Sequence, residues 1–129
     1  LALDEKIPTD MMEPLFDLVK RYRTVVSFSC ADTVRIQTVL RRFPDALIDY
    51  DGPATPSALT EVLELVPRER LLVWMYMDRP NFAWLEDTRK ASPEKCAVVR
   101  RMARLGIGNV NNPCDMREAL TFEPDVLEV

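Results

Sequence analysis

The sequence contains no histidine, and only three glycines and three cysteines, among its 129 residues. Without histidine a Cys/His zinc site is excluded. Cys30, Cys96 and Cys114 are odd in number and share no metal-ligand spacing, a usage that fits a reducing, cytoplasmic compartment. The glycines, Gly52, Gly106 and Gly108, form neither G-x-G-x-x-G nor a P-loop, which speaks against nucleotide or flavin binding through such a loop and leaves no cofactor-binding motif. Long apolar runs are missing as well: LLVWMYM, the longest, falls far short of the ~20 residues of a membrane span. Nor is there an excess of cations. With 17 Lys and Arg against 21 Asp and Glu, a net charge of -4 and a pI near 4.9, the chain lacks the concentrated positive charge that phosphate backbones require. Its basic pairs, Lys20-Arg21, Arg41-Arg42 and Arg100-Arg101, lie apart near predicted helix ends and read as solvated faces. The chain opens on Leu1 with no signal-peptide pattern, which reads as one domain, residues 1–129, cut from a longer protein.

What is present is an alternation of two periodicities. Met12, Leu15, Phe16 and Val19 share a helical face, as do Ile36, Val39, Leu40 and Phe43; Leu59, Val62, Leu63 and Val66; and Cys96, Val99 and Ala103. Asp32, Thr55-Pro56 and Ser92-Pro93 supply helix starts, and Gly106 reads as the stop of the fourth helix. Between these faces sit short runs rich in β-formers: Leu1 to Leu3, Thr24 to Phe28, Ala46 to Tyr50, Leu71 to Met77 and Ile107 to Val110. They look continuous, the pattern of strands buried on both faces of a parallel sheet. A fifth helix over Asp115 to Leu120 completes a (βα)5 order, and the expectation is a flavodoxin-like open α/β sheet, order 2-1-3-4-5, with helices on both faces. Asp78 to Ala91 lengthens the fourth crossover; Phe82, Trp84 and Leu85 are expected to fold it back as an extra turn, or to offer an apolar contact to a partner.

Acids stand where the strands end. Asp4 and Glu5 close the first, and Asp49 lies at the end of the third, in DALIDYDGP. In the order 2-1-3-4-5 these ends adjoin at the switch point, where ligands bind in open parallel sheets. Three crowded carboxylates repel unless a cation resolves the conflict, and Mg²⁺, bound through a few oxygens and completed by phosphate, is a natural resolution. A carboxylate beside such an ion can accept a phosphoryl group.

LALDEK, FPDALIDYDGP and LGIGNVNNPCDMREAL together resemble a response-regulator receiver domain of two-component signal transduction, in order along the chain. The resemblance implies Mg²⁺ held by Asp4, Glu5, Asp49 and the backbone carbonyl of Asp51. It implies Asp49 as phosphoacceptor, with Pro53 four residues on. It also implies a histidine kinase or histidine phosphotransfer protein as donor, an output domain or regulatory protein as target, and a homodimer as an option. The pattern departs from the family at three switch positions. Met75 stands where a hydroxyl is expected, Asn109 where an aromatic is expected, and Asn112 where a lysine is expected before proline; an amide cannot neutralise a phosphoryl group. The reading is a pseudo-receiver: a signalling domain rather than an enzyme, acting by protein contacts with reduced or no dependence on phosphorylation.

A rival reading is enzymatic. ALDEK, VVSFS and VWMYM are similar to strands in the C-terminal half of a β/α barrel of the glycerophosphodiester phosphodiesterase kind, the first ending in acid-x-Lys, VVSFS the next, and VWMYM the tryptophan-bearing one with Trp74. That family uses histidine for acid/base work, and a half barrel leaves two open sheet edges. A third reading is a plain flavodoxin-like binding domain, with Trp74 and Met77 as core and Tyr76 at the mouth of the pocket around Asp49.

Overall fold

A computed structural model describes residues 2–3, 8, 11–22, 26–80 and 85–129. The elements follow strictly in alternation: β1 (Ala2–Leu3), α1 (Met12–Tyr22), β2 (Ser27–Cys30), α2 (Thr33–Arg42), β3 (Leu47–Tyr50), α3 (Pro56–Leu63), β4 (Leu71–Tyr76), α4 (Pro93–Met102), β5 (Arg104–Gly108), α5 (Pro113–Thr121) and β6 (Val126–Leu127). The expected α/β class with one parallel sheet is therefore what the chain forms. No helix among the described residues is long and apolar enough to cross a membrane.

The strand order differs from expectation. It runs β1-β2-β3-β4-β5-β6, every neighbouring pair parallel, instead of 2-1-3-4-5. An order with a switch point requires the chain to reverse its direction of travel across the sheet. Here each crossover steps to the next strand on the same side, and right-handed crossovers in one direction lay all helices on one face rather than two. Core composition agrees. The strand residues of the core are Phe28, Cys30, Ile48, Tyr50, Leu71, Val73, Met75, Leu105 and Ile107, and the register places them all on one face. Against them pack Phe16, Ile36, Val39, Leu59, Val62, Cys96, Val99 and Ala119 from the five helices.

The second face is chemically different. It carries Ser27, Ser29, Leu47, Asp49, Leu72, Trp74, Tyr76, Arg104, Gly106 and Gly108. Along β4 the alternation is plain, since Leu71, Val73 and Met75 are fully buried while Leu72, Trp74 and Tyr76 are half-buried. LLVWMYM looked continuous only because both its faces are apolar.

Local chemistry fixes the helix starts as the sequence indicates. Arg35 N–H donates to Asp32 Oδ1 at 2.8 Å, and Ala58 N–H and Lys95 N–H donate to Thr55 Oγ1 and Ser92 Oγ, each at 3.3 Å. At the other end of α4 the expected stop is misplaced. The helix ends at Met102, Ala103 is already extended, and Gly106 lies inside β5, two residues after a strand start that precedes the expected Ile107. Leu105 and Ile107 alternate into the core, so strand periodicity overrides the helical one there. β6 has only two residues, too few to leave a periodic trace in the sequence.

The lengthened fourth crossover contains the expected extra turn, a 3-10 turn at Asp87–Arg89, with Leu85 buried. Phe82 and Trp84 lie outside the described residues.

Candidate functional site

In sheets of this kind ligand chemistry gathers at the carboxyl ends of the strands, where the loops into the following helices begin. At that end of the second face the chain brings together Asp51, just beyond β3, Tyr76, the last residue of β4, and Arg89 from the 3-10 turn. Tyr76 Oη donates to Asp51 Oδ1 at 2.7 Å, and Arg89 Nη2 donates to the same oxygen. The Arg89 guanidinium also lies over the Tyr76 ring, 4.8 Å from its centroid. Burial, then the hydrogen bond to Asp51, pushes the Tyr76 hydroxyl far above its ordinary value, so it remains a donor at any physiological pH. Tyr76 is tied to the crossover a second way, because Ala91 N–H donates to its carbonyl at 2.8 Å.

Two glycines make room for this arrangement. A Cβ on Gly106 would lie 2.6 Å from the Trp74 ring, and one on Gly108 would lie 2.7 Å from the Tyr76 ring. Glycine in β5 thus lets both aromatic rings of β4 lean over the neighbouring strand. Glu128, beside Gly108, closes the same corner from the β6 side.

Asp49 occupies the same face but lower, mid-strand in β3 and half-buried. Ser27 Oγ donates to its Oδ2 at 2.5 Å. Burial raises its pKa, while the Ser27 hydroxyl and the charge of Arg104 pull it back part of the way. A carboxyl with a raised folded-state pKa destabilises the fold once the pH exceeds its unfolded value, and the penalty is complete above its folded value. Asp49→Asn keeps an acceptor for Ser27 and removes the buried charge. The variant is expected to melt a few degrees higher at pH 7, a gain of about 1 kcal/mol or less. The advantage should vanish as the pH falls below about 4. Thermal melts of both proteins across pH 3 to 7 check this, and a variant less stable at pH 7 contradicts it.

The residues singled out in the sequence are not all brought together. Asp4 and Glu5 lie outside the described residues. β2 stands between β1 and β3, so the two strand ends expected to adjoin are separated by two strand spacings, about 9–10 Å. Asp51 engages through its side chain, with a cation already on its Oδ1. Of the expected Mg²⁺ ligands, only the Asp49 carboxylate and the Asp51 backbone carbonyl lie among the described residues, and no group of three or more His, Cys, Asp or Glu among those residues could hold a metal.

Met75 is fully buried on the helix side and does not face this site. Asn109 has a φ of 62° in the left-handed region, a conformation asparagine tolerates well. Asn112 is the cap of α5: its Oδ1 accepts from Cys114 N–H at 2.8 Å and Asp115 N–H at 2.9 Å, and its Nδ2 donates to Asp115 Oδ2 at 2.9 Å. Asp115, pinned also by Arg79 at 2.7 Å, is held below the ordinary carboxylate range chiefly by that guanidinium. These asparagines shape the start of α5. Arg89 was missed altogether, since it lies 38 residues from Asp51 and nothing local marks it. Ser27 left a trace in the alternation of SFSC.

No family model matches the chain, and no curated protein does. Among solved structures it is similar to a glycerophosphoryl diester phosphodiesterase from Parabacteroides distasonis ATCC 8503, with a TM-score of 0.70 and 16% identity. The match covers 99% of this chain and 46% of that one, so the chain spans less than half the length of that protein, and at this identity the likeness is one of fold.

Proposed function

We propose that this chain is half of a β/α barrel of the phosphodiesterase kind, supplying the wall of a crevice that receives a glycerophosphodiester. The observation that carries the reading is the sequential parallel order, with every core strand residue on the helix side and a mixed polar and aromatic face opposite. A sheet wound in one direction curls towards closure, its second face becoming the interior and its carboxyl ends the active rim. The partial coverage of a phosphodiesterase structure supports the same reading. A switch-point crevice, on which the phosphoacceptor reading rests, has no counterpart in this strand order.

Hydrolysis of a phosphodiester forms a bond from water oxygen to phosphorus and breaks one phosphorus–oxygen ester bond. The departing alkoxide takes up a proton. Catalysis thus needs proton-transfer groups, cationic contacts to the phosphate oxygens and a means of excluding water. This chain offers Arg89 and Tyr76 at the rim and Asp49 below them. It has no histidine, so imidazole acid/base groups must come from the remainder of the barrel. By itself the chain binds and positions.

Titration with glycerophosphocholine, followed by two-dimensional amide NMR, tests the reading. The expected result is saturable shifts at Asp51, Tyr76 and Gly108. Absence of shifts there at millimolar ligand overturns it. Shifts centred on Asp49 with Mg²⁺ and beryllofluoride, lost in Asp49→Asn, would instead favour the phosphoacceptor.

A further inference from the structure

At the opposite end of the sheet, away from the rim, the amino ends of β2 and β3 and the facing sides of α1 and α2 border a solvent-open cavity of about 450 Å³. That volume lies within the range of small-molecule sites, roughly 300–1,000 Å³. Its walls are apolar: Val19, Val26, Phe28 and Phe43 line it, and Phe28 and Phe43 belong to an aromatic cluster with Phe16, ring centroids 5.2 to 5.8 Å apart. Leu47 also lines it, with 36% of its surface exposed.

Two cations share this lining. Lys20 Nζ lies 5.7 Å from the centroid of the Phe43 ring and forms no ion pair among the described residues. Arg42 is already partly neutralised, its Nη2 lying 2.9 Å from Glu13 and 3.0 Å from Asp17, while its Nε is buried without a hydrogen-bond partner. The one acid in the lining, Asp45, is fully exposed and reaches towards Arg70 at 3.9 Å.

We propose that this cavity binds a small amphipathic anion, an acidic head group carried on an aromatic or medium-chain apolar body. The body replaces water against Phe28, Phe43 and Val26, and the head group meets the ammonium of Lys20 at the rim. The sign of the ligand follows from charge: among the described residues, Glu13 and Asp17 beside the cavity are spent on Arg42 and Asp45 turns to Arg70, whereas the Lys20 ammonium pairs with no acid and lies over the Phe43 ring. Nothing in this site depends on the crevice at the carboxyl ends.

Anilinonaphthalene sulfonate is the probe, read by fluorescence and by amide NMR on the 129-residue chain. Saturable binding is expected, with shifts at Val19, Phe43 and Ala46, displacement by decanoate, and no displacement by decylamine. Lys20→Met, at an exposed position, should weaken binding roughly fivefold without changing the melting temperature, the scale of one solvent-facing charge contact. Ala46→Trp, which fills the cavity from the core side just before β3, should abolish it. The proposal is overturned by an absence of saturable binding, by equal displacement with decylamine, by an unchanged affinity in either variant, or by shifts confined to Trp74 and Tyr76.

Discussion

Replacing Gly52 with alanine is expected to cost about 3 kcal/mol and to lower the melting temperature by roughly 10 °C. Gly52 is buried in the turn that leaves β3, and its φ is not in the left-handed region. On backbone grounds alone, alanine should therefore stabilise, by about 0.4–1 kcal/mol, through the entropy of the unfolded chain. Sterics reverse the sign. The added Cβ would run into the carbonyl oxygen of Ala31 and lie 2.5 Å from the hydroxyl oxygen of Tyr50, itself buried in the core. The backbone there cannot retreat freely, because the N–H of neighbouring Asp51 donates to Cys30 O at 3.0 Å and anchors the turn to β2. At Gly106 the nearest obstacle is the half-buried Trp74 ring rather than backbone, and a side chain can turn aside, so Gly106→Ala should cost about half as much. Thermal melts followed by near-ultraviolet circular dichroism measure both. A Gly52→Ala protein that melts within a degree or two of the parent would show that the turn has room the contacts deny.

The parts of this fold that were legible in the sequence are those whose cause is local. Thr55-Pro56 and Ser92-Pro93 start helices because a hydroxyl and a fixed φ act within a single turn, and they start them here. The alternation of strand and helix was legible for the same reason. Strand order was not, because the length of a crossover does not encode which edge of the growing sheet it returns to. A sharper clue was present in β2 and β3, where Ser27, Ser29 and Asp49 alternate with Phe28, Cys30, Ile48 and Tyr50. Period-two polarity of that kind marks one face left uncovered by helices, and it was masked by the apolar second face of β4. Asp49 itself was legible as an acid within an apolar strand. Its neighbours across the sheet were not, because they depend on the register Ser29↔Asp49↔Leu72↔Arg104.

The rim of the crevice gives the second large effect. Asp51 and Arg89 have side chains only 18% and 15% exposed, so they form a largely buried pair, with Tyr76 Oη on the same carboxylate oxygen. Asp51→Ala removes the acceptor from both donors at once. It leaves a largely buried guanidinium, its Nε already without a partner, stripped of that counter-charge. Breaking a buried pair from one side costs about 3–5 kcal/mol, whereas removing both charges is far cheaper. Asp51→Ala should therefore be the most damaging of the set, Tyr76→Phe should cost about 1 kcal/mol, and Asp51→Ala with Arg89→Met should recover most of the loss. Urea denaturation of the variants supplies the double-mutant cycle. A double variant as unstable as Asp51→Ala would mean that the crossover is held by something other than charge. The recovery, if seen, has a functional consequence. The pair fixes the turn at Asp87–Arg89 and the Ala91 N–H to Tyr76 O bond over the end of β4, so hydrogen exchange at Ala91 should quicken in Asp51→Ala. It should stay slow in Tyr76→Phe, which keeps the carbonyl and the ion pair. On the proposed reading, the Asp51–Arg89 bridge keeps this part of the rim closed until a competing anion arrives, and a phosphodiester would be such an anion, offering Arg89 the same charge that Asp51 does.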